Sequence, residues 1–321
     1  MSGTTPGAGP SLCVVGSFMM DLIAYAPRRP EPGETLTGNS FLQTPGGKGF
    51  NQAIAAARSG VATAMVGRVG QDLFGDQFLA ALAEACVDNS GVGQDPAVGT
   101  GVGLPVVSDD GQNSIIIIPQ ANHAMTAAMV REQAALIEQA NVLLLQLELP
   151  MEATIEAARI AKAAGVRVVL NPAPFAALPD ELVDLCDMVV PNEVELANWT
   201  GIDVSDPEQV AAVAGDLGQR HDLDLLVTLG ARGVLVAARG AEPVLVPGHR
   251  VEVKDTIGAG DIFCGYLCAR LSTGGDLVEA VHYANAASAL AVTRTGGASS
   301  APTHTEVEAF LASTTPREDQ S

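Results

Sequence analysis

Alternation is the feature that most constrains this chain. Apolar runs of strand length recur along it: LCVVGS (12–17), ATAMVGRV (62–69), NVLLLQL (141–147), VRVVLN (166–171), DMVVPN (187–192) and LDLLVTLG (223–230). Between several of them lie alanine-rich stretches of helical length such as GFNQAIAAARSG, MEATIEAARIAKAAG and PEQVAAVAGDLGQR. A run without polar alternation reads as a strand covered on both faces, and a helix between two such strands returns the chain to the same edge. The βαβα order therefore predicts a doubly wound α/β sandwich around a mainly parallel sheet. With 47% hydrophobic content, 321 residues supply core for one large unit, expected to span 1–321. From 258 onward the pattern is helical, GDIFCGYLCARLSTG followed by DLVEAVHYANAASALAVTR.

Two segments break the alternation. MDLIAYAPRRPEPGETLTGNSFLQ (20–43) and GTGVGLPVVSDDGQNSIIIIP (99–119) hold β-rich pieces and turn residues with no helix between them. They read as a small antiparallel sheet standing off the main body as a lid, or as two ordinary surface hairpins. Residues 1–10 and STTPREDQS (313–321) are expected to fray. Cys13, Cys86, Cys186, Cys264 and Cys268 show no CxxC pairing and are expected to be free, buried thiols. The opening MSGTTPGAGPSLCVVG has neither a basic nor an apolar leader region, and no run of roughly 18 apolar residues follows, so a cytoplasmic protein with no membrane contact is expected.

Charge narrows the chemistry. A net charge of −20 argues against nucleic-acid binding, which needs clustered Lys and Arg to displace counterions. Lys48, Lys162 and Lys254 are the only lysines, so an anion site must rely on backbone amides, a metal ion or the few cations present. The usual nucleotide motifs are missing. PGGKGFN places glycine after its lysine, which rules out a Walker A loop, and VVGSFMMD lacks the G-x-G-x-x-G of a dinucleotide fold. There is also no zinc spacing, G-x-S-x-G elbow or H-E-x-x-H.

KDTIGAGDIFCG (254–265) answers the charge problem. Phosphoryl transfer to an alcohol needs donors for the moving phosphoryl group and an acceptor for the hydroxyl proton a few ångströms away. The N–H groups around Gly258, Ala259 and Gly260 at a helix start can form the anion hole. Asp261, on the same turn, can take the proton. A carboxylate of ordinary pKa ~3.9 is too weak to ionise an alcohol beforehand, so the proton would move late, as oxygen bonds to phosphorus. The other reading of Asp261 is a helix cap.

Together, PGGKGFNQAIAAARSG (45–60), VVPNEVELANWTG (189–201), TLGARG (228–233) and DTIGAGD (255–261) resemble, in order and spacing, the ribokinase branch of the PfkB family of carbohydrate kinases, over about residues 12–312. The resemblance implies a ribokinase-like three-layer α/β/α sandwich with a small β-sheet lid. It also implies ATP-dependent phosphorylation of a small sugar, ribose at O5 before fructose, another ketose or a nucleoside. A catalytically silent sugar sensor of this fold would show a lost base or a broken anion hole, and both are intact here.

By the same resemblance the sugar lies between sheet edge and lid, held by Met19, Asp21, Gly47, Lys48, Gly49, Asn51 and Glu148. Helix capping by Lys48 and Asn51, and a surface charge at Glu148, are the alternatives. Asn192 and Glu195 match the Asn-x-x-Glu that organises Mg²⁺ and its waters near the triphosphate, although Asn192 also suits an N-cap. Thr228, Gly230, Arg232 and Gly233 match the loop along the ATP phosphates and ribose, and Asn285 a position beside adenine; a plain strand-turn-strand is the other reading of that loop. An activating K⁺ would be held by Asp255, the carbonyls of Ile257, Ala291, Arg294 and Gly296, and the Ser300 hydroxyl. Relatives often carry asparagine where this chain has Met19, which cannot donate a hydrogen bond. Met19 and Asp21 lie two apart on the opening strand and should face the same side. The resemblance also implies a homodimer through the lid sheets, whose SIIIIP would otherwise expose an apolar edge.

Overall fold

The computed structural model describes residues 9–202 and 206–314. Its strands, in chain order, are β1 (Leu12–Val15), β2 (Met19–Ala26), β3 (Ser40–Gly46), β4 (Thr63–Gly70), β5 (Asp88–Asp95), β6 (Gly101–Ser108), β7 (Asn113–Ile118), β8 (Val142–Leu145), β9 (Arg167–Leu170), β10 (Met188–Val189), β11 (Asp224–Thr228), β12 (Gly233–Ala237) and β13 (Val244–Pro247). Nine of these form the main sheet in the order β13-β12-β11-β10-β9-β8-β1-β4-β5, parallel from β11 to β5. The other four form a separate sheet, β3-β2-β6-β7.

Three layers follow from the way β1 and β8 are buried. Leu12, Val14, Val142 and Leu144 pack into one core with helices Lys48–Arg58, Ala259–Ser272 and Leu277–Ala291. Cys13, Val15, Leu143 and Leu145 pack into the opposite core with helix Met151–Ala163. Successive side chains leave a strand on opposite faces, so unbroken apolar runs are what two covered faces require. The six anticipated strands and the anticipated helices form.

Three strands of the main sheet depart from the sequence pattern. β5, DNSGVGQD, lies at an edge and pairs only with β4, so it needs little apolar surface and escapes a search for apolar runs. At the other edge β12 and β13 run antiparallel to their neighbours. The short turn Gly230–Arg232 between β11 and β12 cannot make the crossover that a parallel pair needs.

The small sheet corrects one expectation. Its hairpins β2–β3 and β6–β7 are antiparallel as read, but β2 and β6 join them in parallel, with Asp21 opposite Gly103. Both strands continue outward from carboxyl ends of the parallel sheet, β2 from β1 and β6 from β5, so they leave in the same direction. Asn122, just past β7, is fastened to the base of β2: its Oδ1 accepts from Phe18 N at 2.8 Å and its Nδ2 donates to Phe18 O at 2.7 Å.

Cys86 is a second correction. The other four thiols are buried, whereas Cys86 is exposed in a left-handed conformation (φ 58) just past helix Leu73–Glu84. The side chain of a residue that ends a surface helix this way points to water. The expected frayed ends lie mostly outside the described residues, although Ser313 and Thr314 complete helix His304–Thr314.

Candidate active site

Parallel sheets bind ligands beyond their carboxyl edge, at the point where strand order reverses. Here the chain runs from β1 one way to β4 and β5, then returns to β8 on the other side. Ser17, Glu148, Asn171, Asn192 and Thr228 all follow or end strands at that edge. One cavity gathers Lys48, Asn192, Glu195, Thr228 and the turn Gly258–Asp261, with Asn171, Thr256 and Cys264 in its wall.

Asp261 sits in the first turn of helix Ala259–Ser272, which has Gly258 as its N-cap in the left-handed region (φ 75) and no side-chain cap. Its carboxylate turns away from the helix end. Oδ2 accepts from Asn51 Nδ2 at 3.0 Å and Oδ1 from Gln52 Nε2 at 3.0 Å, and only 8% of the residue is exposed. The capping alternative is thereby excluded. Helix geometry leaves first-turn N–H groups without helical carbonyls, but Ala259 N–H reaches Thr256 O at 3.3 Å, so the anticipated three-amide hole has one loosely engaged member. Gly260 differs from the other glycines of the site, because a Cβ there would meet nothing within 4 Å and its φ is not left-handed.

Helix Lys48–Arg58 begins at Gly47 (φ 92), where a Cβ would lie 2.7 Å from Met19 N. At Gly49 a Cβ would fall 2.4 Å from Ser17 N, so the glycines let this helix start press against the end of β1. Glu148 binds the same place, accepting from Lys48 N at 2.8 Å and from the Ser17 hydroxyl. It is therefore no loose surface charge. Burial pushes its carboxyl up, against the pull of Ser17 and Lys48. Burial pulls the Lys48 ammonium down, yet Asp261, Glu148 and Glu195 together hold it above its ordinary value. Among the described residues Asn51 Oδ1, although buried, has no hydrogen-bond partner.

Asp21 stands beside Glu148, and burial first, then that neighbouring charge, raises its carboxyl from 3.8 to about 6. Two glycines make room for it: a Cβ on Gly46 would be 2.5 Å from Oδ2, and one on Gly103 2.3 Å from Oδ1. The same Gly103 Cβ would lie 3.7 Å from Met19 Cγ, so Met19 and Asp21 share a face as expected.

Asn192 and Glu195 form a reciprocal capping box at helix Glu193–Thr200, and burial raises the Glu195 carboxyl. Asn192 also bridges to Thr228, which sets the two side by side at the cavity. Gly230, Arg232, Gly233 and Asn285 are not in that wall. Arg232 pairs with Glu193, Gly233 (φ 103) lies against Val246 O, and Asn285 Nδ2 reaches the Val246 and Pro247 carbonyls at 3.4 and 3.3 Å. Asp255 clasps two loops, its Oδ1 accepting from Ile257 N at 2.9 Å and its Oδ2 from Gly296 N at 3.0 Å. Loop 291–300 is thus held beside the Gly258 turn, where a Cβ would be 3.1 Å from Gly297 Cα.

The sequence profile of the pfkB family carbohydrate kinases matches residues 10–304. The chain belongs to the PfkB family of carbohydrate kinases. Ribokinase of Haemophilus influenzae is 38% identical over 301 residues, covering 94% of this chain and 98% of its own. Deoxyribokinase of Salmonella typhi is 35% identical over 301 residues, with 94% and 98% covered. The solved structure of Arabidopsis thaliana ribokinase complexed with ribose and ATP matches at a TM-score of 0.90 and 32% identity, covering 94% of this chain and 99% of that one. For a PfkB kinase, sequence reasoning passed over Ser17, Gln52, Gln146, Asn171 and the glycine pair around Asp21. A polar residue ending an apolar run, as in LLLQL and VVLN, was the available signal for two of them.

Among the described residues, no three His, Cys, Asp or Glu side chains cluster to hold a metal ion, and no helix is long and apolar enough to cross a membrane.

Proposed function

We propose that this PfkB kinase transfers the γ-phosphoryl group of ATP to O5 of D-ribose, giving ribose 5-phosphate and ADP, with Asp261 as general base. The observation that carries the mechanism is the carboxylate of Asp261, buried on the first turn of a helix, held by two side-chain amides and not used as a cap. The ribose oxygen attacks the γ-phosphorus, the bond to ADP breaks, and the hydroxyl proton passes to Asp261. The amides of Gly258 to Gly260 receive the charge of the phosphoryl group, and Lys48 adds the nearest full positive charge.

The sugar subsite consists of Asp21, the Gly47–Asn51 turn and Glu148, with Met19 as an apolar wall. Asn51 Oδ1, buried and without a partner, suits a sugar hydroxyl. The nucleotide follows Asn192, Thr228 and the Gly230–Gly233 turn toward Asn285. Glu195 fits Mg²⁺ through water, since a nearby cation relieves the burial that raises its carboxyl. Bound with ATP, Mg²⁺ neutralises phosphate charge. Asp255, with the carbonyls of Ile257, Ala291, Arg294 and Gly296 and the Ser300 hydroxyl, fits a large monovalent cation such as K⁺, because Asp255 already draws these loops together. Exposed Phe41, Leu42 and Ile115 to Ile118 on the small sheet suit burial against a second copy, and free cysteines suit the cytoplasm.

A second acceptor, 2-deoxyribose, is favoured by Met19, since an apolar side chain facing the sugar suits a carbon without its hydroxyl; one relative is a deoxyribokinase. Turnover with ribose, 2-deoxyribose, fructose and nucleosides, each with MgATP, decides between them. Higher kcat/KM for ribose supports the first reading, and preference for 2-deoxyribose that Met19→Asn reverses supports the second. For the mechanism, Asp261→Asn should lower turnover by ~10²–10⁴ while substrate affinities stay within several-fold. Near-normal turnover in that variant removes Asp261 as base.

A further inference from the structure

Gln52 touches neither proposed subsite. It is fully buried one residue beyond Asn51 and donates twice through Nε2, to Asp261 Oδ1 at 3.0 Å and to Asn171 Oδ1 at 3.1 Å. Its Oε1 accepts from Gln146 Nε2 at 2.6 Å. Asn171, at the end of β9, donates through Nδ2 to the carbonyl of Val190 at 2.9 Å. Gln146 follows β8 and is 2% exposed. The ends of three adjacent strands therefore converge on Asp261 through one side chain.

Accept-only groups fix the direction of this chain. The Val190 carbonyl can only accept, so Asn171 must present its nitrogen there and its oxygen to Gln52. An ionised Asp261 also only accepts. Both neighbours at that end of Gln52 are acceptors, so the Gln52 nitrogen must face them, and its oxygen must face Gln146. Reversing any one of these amides sets acceptor against acceptor, which low-dielectric surroundings make costly, even though Gln146 Oε1 is buried without a hydrogen-bond partner in the orientation that satisfies Gln52.

We propose that Gln52 is a positioning residue for the reaction, locking the plane of the Asp261 carboxylate to the strand ends through Gln146 and Asn171. The proposal rests on the assignment of Asp261 as base. A carboxylate in a first helical turn can swing toward the nearest cation, here Lys48, whose charge already couples to it. Neutral amide donors on both oxygens oppose that swing without adding a second full positive charge, which would weaken the base. Asn51 also faces the sugar subsite. Gln52 is the member of the pair committed wholly to orientation.

Gln52→Met keeps length and removes both donors, and Gln146→Met removes the group that orients Gln52 while leaving Gln52 in place. Each is assayed with ribose and 2-deoxyribose and MgATP, alone and in an Asp261→Asn background, with thermal melting recorded. Gln52→Met is expected to lower kcat by about 10- to 100-fold with both KM values within about threefold, as for a misaimed base. In the Asp261→Asn background it should cost less than about threefold, because its effect passes through the missing carboxylate. Gln146→Met, the fallback if Gln52→Met does not fold, should give a smaller loss of kcat with the same dependence on Asp261. Unchanged kcat, a loss confined to KM, or full multiplication of the losses in the double variants overturns the proposal while Asp261→Asn still shows a base. Normal turnover in Asp261→Asn alone removes the base and the proposal with it.

Discussion

Gly260→Ala should stabilise the protein and disable it. A Cβ at Gly260 meets no atom within 4 Å, and its backbone is not left-handed, so nothing within the chain demands glycine. Alanine in a helix is favoured over glycine by ~0.5–1 kcal/mol. At roughly 2 °C per kcal/mol for a chain of this size, melting should rise by about 1–2 °C. The methyl group, however, projects into the cavity that Gly260 lines with Lys48 and Asp261. If the phosphoryl group packs on that turn, the methyl displaces it by about an ångström, and a displacement of that size costs on the order of 10² in rate. Gly258→Ala is the contrast. There φ is 75 and a Cβ would press on Gly297 Cα at 3.1 Å, so that variant should lose both stability and activity. Melting curves and kcat/KM for ATP on the two variants read the difference. A Gly260→Ala enzyme with wild-type kcat/KM for ATP would mean that no phosphate approaches this turn, and the anion hole would have to be placed elsewhere.

If Asp21 holds the sugar as proposed, sugar affinity should depend on pH: below about 6 its carboxyl is protonated and gives up acceptor capacity, so the sugar KM should rise as pH falls through 6 and stay flat above 7, and a KM independent of pH from 5 to 8 removes Asp21 from the subsite. Because the folded value is raised above 3.8, the folded state binds more protons than the unfolded one between 3.8 and about 6, and stability falls as pH rises through that window. Asp21→Asn should accordingly raise the melting temperature at pH 8, with the gain fading toward pH 4, while sugar binding weakens; equal melting temperatures at pH 8 contradict the burial argument. For the cation loop, activity in Na⁺ or a bulky organic cation should drop and recover with K⁺, and Asp255→Ala should blunt the response; equal rates at matched ionic strength remove the site.

The main sheet was legible because burial on both faces leaves only one kind of sequence, the unbroken apolar run, and β1, β8 and β9 have it. β5 was hidden because an edge strand can be polar. The parallel pairing of β2 with β6 was hidden because each hairpin is antiparallel within itself, and the direction of their meeting is set by the strands that feed them, β1 and β5, which lie far from each other in sequence. In the site, Asp261 stood out as a carboxylate on a glycine turn that opens a helix, whereas Lys48, Asn51 and Glu148 stood out through the family resemblance. Gln52, Gln146 and Asn171 did not, since a neutral amide acquires meaning only from the partner it meets, and these partners lie 94 to 209 residues apart. The same holds for Gly46 and Gly103, which read as turn or strand glycines until Asp21 is seen to need the space on both sides.

Electrostatics connects the sequence-wide charge to the site. Asp261 puts a negative charge on a turn suited to phosphate, and its surroundings add more: Glu148, Glu195 and Asp261 all act on Lys48, and Asp21 stands beside Glu148. One ammonium therefore faces four carboxyl groups. A neutral sugar meets no Coulomb barrier there, and on the proposed assignment the acidic wall supplies it with hydroxyl acceptors. The triphosphate of ATP is repelled by the same wall unless its charge arrives already paired with a cation, since a protein of net charge −20 offers no basic field to draw it in. On the proposed assignment the carboxylates divide the labour, those on the sugar side as acceptors and Glu195 toward the metal. Asp261 lies between the two, where neutral amides can hold it in place without a second lysine to quench it.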